Sequence, residues 1–211
     1  PICEITVYDN TQEEPFRPIT QEQSINLCKA LKLPCKVSSL PQYQDINMPC
    51  TTVPNPQNTM DVDGDGYCFF RSVALAVTGS QGNFGRLNAL IAQHIRNNTQ
   101  RLKHILPKGM DGAHYLQMRA NRGAQSRWAT EVHITAAAQL LGTDIIIYLP
   151  RTKWRRFPNR SFKGGWATYY AKQGERTGKN AIYLMNENRN HYVVVLSPDS
   201  GGYTEEYSWL D

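Results

Sequence analysis

The chain has 211 residues, of which 40% are apolar and 19% charged, and its formal net charge is +5. A chain of this length buries roughly two-thirds or more of its unfolded surface in one core. Five cysteines, an odd number with no Cys-x-x-Cys pair, exclude a disulfide scaffold and a zinc ribbon. No apolar run approaches the roughly 18 residues of a transmembrane helix. We expect a reduced, intracellular protein, in the cytoplasm of its own cell or of a host, with no membrane contact.

Residues 1–60 contain eight of the twelve prolines, which predicts an irregular leader on or before the main domain. One helix is expected inside it, because Thr20 and Gln23 have the spacing of a capping box and a helical apolar pattern follows up to Pro34. The leader has six acidic and four basic side chains, whereas residues 61–211 have twelve and nineteen. The positive charge therefore belongs to the second part.

A globular domain is predicted over residues 61–198. Apolar residues at spacings of three and four predict helices at 68–78 and 86–106. A third helix is predicted from Trp128, interpreted as a packing residue, to Gly142, which suits the position after a helix end.

Three β-branched runs follow these helices, at 144–150, 181–185 and 191–196, and the last two predict a hairpin. Helices in the first half and strands in the second predict an α+β fold, with helices packed on a small, mostly antiparallel sheet. An acidic tail, 199–211, ends the chain.

The string DVDGDGYCFF at 61–70 has two interpretations. Asp61, Asp63 and Asp65 match the opening of a calcium-binding EF-hand loop, but its twelfth position, which requires glutamate, is Ser72. The calcium interpretation is therefore rejected, and we predict neither a metal nor a cofactor.

In the second interpretation, the glycine-rich loop places Cys68 in the first turn of a helix. The unpaired amides and the helix dipole there favour a thiolate, which makes Cys68 a candidate nucleophile; the alternative is a buried packing residue. No such loop precedes the other cysteines, which are interpreted as packing residues: Cys3, Cys28, Cys35 and Cys50.

His191 is the candidate base for this thiol, because it opens a strand directly after a polar turn and so lies at the rim of the sheet. A structural histidine at a strand end is the alternative. The other histidines are expected to be structural or solvated, with His94 and His104 in a helix, His114 in a polar loop and His133 in the third helix.

Three strings carry a family resemblance: DGDGYCFFRSVA (63–74), WATEVHITAAAQLLGTDIIIY (128–148) and NRNHYVVV (188–195). In order and spacing they resemble the ovarian tumour (OTU) family of cysteine proteases. The resemblance implies a papain-like α+β fold without a metal. It also implies hydrolysis of the bond after the C-terminal glycine of ubiquitin or a relative, so that ubiquitin conjugates are the expected partners.

By this resemblance Cys68 is the nucleophile and His191 the general base. The loop of Asp65, Gly66 and Tyr67 would supply backbone N–H groups which, with that of Cys68, stabilise the oxyanion. A thioester acyl-enzyme would form and then be hydrolysed.

The third member of the triad departs from the family pattern. Many relatives have asparagine or aspartate two residues after the histidine, where this chain has Val193. Asp65 and Asn190 are the first candidates to orient His191, and Asn188 and Asp45 are further ones.

The segment 151–163 has six positive charges and interleaved Trp154, Phe157 and Phe162. This composition is typical of a single-stranded nucleic-acid groove, but a solvated loop is the more common outcome, so nucleic acid is the less favoured partner. The alternative function is a catalytically weak or inactive module of the same fold that binds ubiquitin or nucleic acid through the cleft or this segment.

Overall fold

A computed structural model describes residues 16–43, 56–150, 152–153, 161–162, 165–172 and 180–198. Its helices, in chain order, are α1 (Gln21–Leu31), α2 (Cys68–Thr78), α3 (Phe84–Asn97), α4 (Thr99–Leu102), α5 (Gly112–Ala120) and α6 (Glu131–Leu141). Its strands are β1 (Pro56–Met60), β2 (Ile145–Leu149), β3 (Thr152–Lys153), β4 (Ser161–Phe162), β5 (Gly165–Tyr169), β6 (Ile182–Glu187) and β7 (His191–Pro198).

The main sheet has the strand order β1-β7-β6-β2-β5, and β3 pairs with β4 in a separate ribbon. Within the main sheet β2 and β6 are parallel, and the other neighbours are antiparallel. Because β6 and β7 are joined by a tight turn, the predicted hairpin is confirmed. The α+β class with a mostly antiparallel sheet is confirmed as well.

Helix α2 is the centre of the core. Its apolar residues follow the three-and-four spacing that the sequence predicted, and Val73, Ala74 and Val77 are fully buried. The helix contacts β7 on one side and α1 and α3 on others. It ends at Gly79, whose φ of +70° is the left-handed conformation that glycine adopts without strain. The predicted limits 68–78 are confirmed.

The leader, residues 1–60, contains the predicted helix and also a strand that the sequence did not predict. Its helix α1 begins with the predicted capping box, in which the Gln23 N–H donates to the Thr20 hydroxyl and the Thr20 N–H donates to Gln23 Oε1. Residues Pro56–Met60, however, form the edge strand β1 and pair with β7. The prediction that the leader is irregular apart from one helix is therefore wrong for this segment.

The second and third predicted helices end or begin at other residues than the sequence indicated. The predicted helix 86–106 is interrupted at Asn98, whose side-chain amide donates to the His94 carbonyl at 3.0 Å and competes with the helical pattern. Helix α6 begins at Glu131, so Trp128 lies outside it. Helix α5 was not predicted.

Gly112 marks a close approach of α5 to α3. A Cβ atom at this position would overlap the carbonyl oxygen of Ile95 and lie 2.7 Å from its carbonyl carbon. We expect Gly112→Ala to lower the free energy of unfolding by about 1–3 kcal/mol, since backbone must shift to admit the methyl group.

Urea denaturation measures this effect, and Gly85→Ala in α3 is the matched control. Apart from the adjacent residues and backbone of α3 itself, no described atom lies within 4 Å of a Cβ built at Gly85, so alanine there should stabilise the protein by about 0.5–1 kcal/mol through helix propensity. Equal effects of the two substitutions would contradict the close approach.

No helix in the described part of the chain is long and apolar enough to cross a membrane. The acidic tail 199–211 and most of the basic segment 151–163 lie outside the described residues.

Candidate active site

Cys68 and His191 line one cleft. Cys68 is the first residue of α2 and His191 the first residue of β7, and α2 packs directly on β7. The cleft has a volume of about 220 Å³ and is lined by Gly64, Gly66, Cys68, Trp128, Asn190 and His191. The structure thus brings together the two residues that the sequence proposed as nucleophile and base.

Two contacts between α2 and β7 hold this arrangement. The Ser72 hydroxyl donates a hydrogen bond to the backbone carbonyl of Tyr192 at 2.9 Å. The rings of Phe69 and Tyr192 meet edge to face, with centroids 5.5 Å apart. Since Tyr192 follows His191 and Phe69 follows Cys68, these contacts set the relative position of the imidazole and the thiol.

The Cys68 thiol donates to the backbone carbonyl of Asn190, with an Sγ to O distance of 3.8 Å. Asn190 therefore contacts the thiol through its main chain. At this distance the bond is weak.

His191 is hydrogen-bonded to a carboxylate that the sequence did not identify as its partner. Its Nε2 lies 2.7 Å from Oδ1 of Asp61, the residue directly after β1. This hydrogen bond lowers the pKa of the Asp61 carboxyl below its usual value. Nδ1 of His191 is the ring nitrogen near Gly64, on the side of the cleft.

Asp65, a first candidate to orient His191, is bound to Arg71 instead. Arg71 donates from Nε to Oδ1 at 3.1 Å and from Nη2 to Oδ2 at 2.7 Å, and its Nη1 lies 3.4 Å from Asp63. The guanidinium holds the pKa of Asp65 at about 2. The prediction that Asp65 orients the imidazole is therefore wrong, and this carboxylate instead fixes the loop before Cys68.

That loop offers fewer free amides than the sequence suggested. The Tyr67 N–H already donates to Asp65 Oδ1 at 3.0 Å, and the Asp65 N–H bonds to its own carboxylate. Of the four predicted oxyanion donors, the N–H groups of Gly66 and Cys68 are left as candidates. Gly66 has a φ of +92°, and a Cβ there would lie 3.3 Å from the Trp128 ring. Only glycine combines this backbone conformation with the available space.

A family model described as OTU-like cysteine protease matches residues 63–206. The chain belongs to the OTU family of cysteine proteases. No curated protein matches the sequence significantly.

Solved structures agree with this family assignment at the level of fold. The OTU domain protease of Dera Ghazi Khan virus is 19% identical, with a TM-score of 0.51 over 67% of this chain and 81% of that one. The protease of Qalyub virus is 18% identical, with a TM-score of 0.50 over 66% and 83%. The OTU domain of OTUD1 is 20% identical, with a TM-score of 0.50 over 65% and 83%.

Trp128, which was interpreted as a packing residue at the start of the third helix, lies outside that helix. It is 50% exposed and forms part of the cleft wall of this OTU domain, beside Gly66. The signal that the sequence offered was Thr130, a residue suited to cap the helix, which places Trp128 before the helix start. Outside the helix, the Trp128 side chain lines the cleft.

Among the other cysteines, Cys28 is a packing residue as expected. It is buried under α2, its thiol donates to the Val77 carbonyl at 3.4 Å, and burial raises its pKa to about 12. Cys35 is partly buried beside the same core, whereas Cys3 and Cys50 lie outside the described residues.

The other histidines lie away from the cleft. His133 is buried in α6 and His94 lies in α3, as predicted. His114 was expected in a loop but lies in α5, and His104 lies in a turn after α4 instead of in a helix. Of the further candidates to orient His191, Asn188 occupies the β6–β7 turn with a φ of 50°, and Asp45 lies outside the described residues.

Proposed function

We propose that this OTU domain is a deubiquitinase that cleaves the isopeptide or peptide bond after the C-terminal glycine of ubiquitin or a ubiquitin-like protein. The observation that carries the proposal is the cleft shared by Cys68 and His191. A thiol at a helix N-terminus beside an imidazole on a rigid strand is the arrangement that activates a cysteine nucleophile.

The cleft is suited to a substrate without side chains at the scissile bond. Gly64 and Gly66 line it on one side, and the ring of Trp128 restricts it on another. An extended glycine segment, such as the tail of ubiquitin, needs little width, whereas a bulky residue next to the bond would collide with this wall.

In the proposed reaction, Nδ1 of His191 takes the thiol proton and the sulfur of Cys68 attacks the carbonyl carbon. The imidazolium then protonates the leaving lysine amine as the C–N bond breaks, which leaves a thioester on Cys68. His191 next takes a proton from water, whose oxygen attacks the thioester. The products are a free carboxylate and the regenerated thiol.

The negative charge on the carbonyl oxygen requires donors that point at it in the transition state. The amides of Cys68 and Gly66 are suited to this role, because Arg71 and Asp65 hold the loop that contains them. Loss of one such donor costs on the order of 3 kcal/mol in other acyl-transfer enzymes.

A covalent probe tests the proposal. Ubiquitin with a C-terminal electrophile should form an adduct with the protein that survives denaturation, and Cys68→Ala should abolish it. Cys35→Ala is the matched control, since that thiol lies outside the cleft and should leave the adduct unchanged. If the intact protein forms no adduct with ubiquitin or its relatives, the proposal is wrong.

The second candidate is a binding module without turnover. It is favoured by the contact of the Cys68 thiol with the Asn190 carbonyl, which directs the sulfur to the main chain. This candidate predicts calorimetric binding of ubiquitin without adduct formation or cleavage. The basic segment 151–163 would be its nucleic-acid surface, and a salt-dependent RNA shift lost in Arg155→Ala would support that role.

A further inference from the structure

The partner of His191 lies outside the part of the chain that matches the OTU family. That match begins at Asp63, two residues after Asp61. The position two residues after the histidine, which carries a polar residue in many relatives, is Val193, a hydrocarbon side chain only 1% exposed. This chain therefore needs a different group to orient its imidazole.

The pairing of β1 with β7 places Asp61 beside the imidazole of His191. Strand β1 runs antiparallel to β7, with Met60 opposite Val194 and Thr59 opposite Val195. The end of β1 therefore lies beside the beginning of β7, where His191 is located. Asp61 is the first residue after β1, and its side chain reaches the imidazole although 130 residues separate the two in sequence.

Two hydrogen bonds hold the Asp61 carboxylate in place. Its Oδ1 accepts the N–H of Val62 at 2.7 Å and the Nε2 of His191 at 2.7 Å. Val62 is buried in the core, so the backbone that carries the carboxylate is fixed. The two contacts aim one oxygen at the far nitrogen of the imidazole.

We propose that Asp61 is the positioning residue of His191, and this inference rests on the proposed function. By accepting from Nε2, Asp61 keeps the proton of the neutral ring on that nitrogen and leaves the Nδ1 lone pair free for the Cys68 thiol. When Nδ1 is protonated, the same carboxylate stabilises the imidazolium.

The exposure of Asp61 limits how much it contributes to kcat. The Asp61 side chain is 79% exposed, so water screens its charge, and its contribution is mainly orientation and choice of tautomer. A buried aspartate in this role is worth about 10,000-fold in a serine protease. We expect Asp61→Ala to lower kcat by only about 10- to 100-fold, with little change in KM.

The test variants are chosen from titratable groups that lie around His191 in the described part of the chain. Asp61 comes from the end of β1, Cys68 from α2, and Glu187 is its cross-strand partner in the β6–β7 pair. Asp63→Asn is the matched control, because Asp63 is an exposed acid of the same loop that pairs with Arg71. Glu187→Gln tests the competing carboxylate.

The first readout is independent of activity. Two-bond nitrogen–proton spectra of neutral His191 should show the proton on Nε2 in the wild type and in Asp63→Asn. In Asp61→Ala the fraction of this tautomer should fall toward that of a solvated imidazole, and Asp61→Asn, which keeps an acceptor oxygen, should retain part of the difference. An unchanged tautomer in Asp61→Ala, or a loss seen only in Glu187→Gln, would overturn the proposal.

The second readout is turnover of a ubiquitin C-terminal amide, with kcat lowered in Asp61→Ala and partly recovered in Asp61→Asn. If kcat in Asp61→Ala equals that of the wild type, Asp61 has no positioning role. If the wild type itself turns over no ubiquitin substrate, the proposed function fails. The tautomer measurement then still decides whether Asp61 positions His191.

Discussion

His191→Gln should lower kcat on a ubiquitin C-terminal amide by about 1,000-fold and leave KM nearly unchanged. Glutamine has a similar size, but it cannot take the thiol proton or return it to the leaving amine, and general acid–base catalysis is worth about 100- to 10,000-fold. Proton transfer occurs in the transition state, so its loss affects kcat more than substrate binding. Steady-state kinetics on the purified variant measure both constants.

The control is His114→Gln. His114 lies on α5, its side chain is 71% exposed, and its contact with Asp111 is a surface pair of little energetic value. This variant should keep the wild-type kcat. A His191→Gln enzyme that retained wild-type kcat, or that changed only in KM, would show that His191 is not the general base.

The double variant separates the roles of Asp61 and His191. If Asp61 acts through the imidazole, Asp61→Ala should have almost no effect on kcat once His191 is replaced, because the two losses are not additive for residues that act as a unit. Full additivity of the two losses would instead give Asp61 a role of its own, independent of the ring.

Elements with strong local signals could be predicted from the sequence. The capping box of α1, the apolar spacing of α2 and the hairpin β6–β7 are all encoded by neighbouring residues, and all three are present in the structure. Cys68 and His191 could be proposed because each lies at the end of such an element. Their shared cleft follows from the packing of α2 on β7.

The contacts that depend on the sheet register could not be predicted. Strand β1 has a largely exposed, polar sequence, PQNTM, that begins with a proline and follows a proline-rich segment. It becomes a strand only because β7 supplies its hydrogen bonds. Asp61 meets His191 through this pairing. Asp65, three residues before the cysteine, was favoured by the family resemblance, but no local pattern showed that Arg71, one turn into α2, occupies both of its oxygens.

Folding stability should fall as the pH is lowered from 6.5 to about 4, in part because of His133. This residue is buried in the first turn of α6, where Nδ1 faces the Thr130 hydroxyl at 3.0 Å. Burial, with a smaller contribution from the Arg119 guanidinium, lowers the pKa of His133 from 6.5 to about 4. The imidazole is therefore neutral in the folded protein over this range.

His133 makes the protein less stable at low pH because the unfolded chain binds the proton before the folded protein does. The unfolded chain, with the higher pKa, takes up a proton between pH 6.5 and 4 while the folded protein does not. The stability contributed by neutral His133 is complete above pH 6.5 and is lost as the pH falls toward 4. Each pH unit costs about 1.4 kcal/mol, or about 3 kcal/mol over the whole interval.

His133→Gln isolates this contribution. Glutamine at the third position of a helix retains the reciprocal hydrogen bonds of a capping box with Thr130 but does not titrate. Urea denaturation across the interval should show a shallower loss of stability for His133→Gln than for the wild type, whereas His114→Gln, on the surface, should keep the wild-type slope. Identical slopes for His133→Gln and the wild type would mean that the buried imidazole takes up its proton without unfolding, and that Thr130 and Tyr115, which contact Nδ1, rearrange to accommodate it.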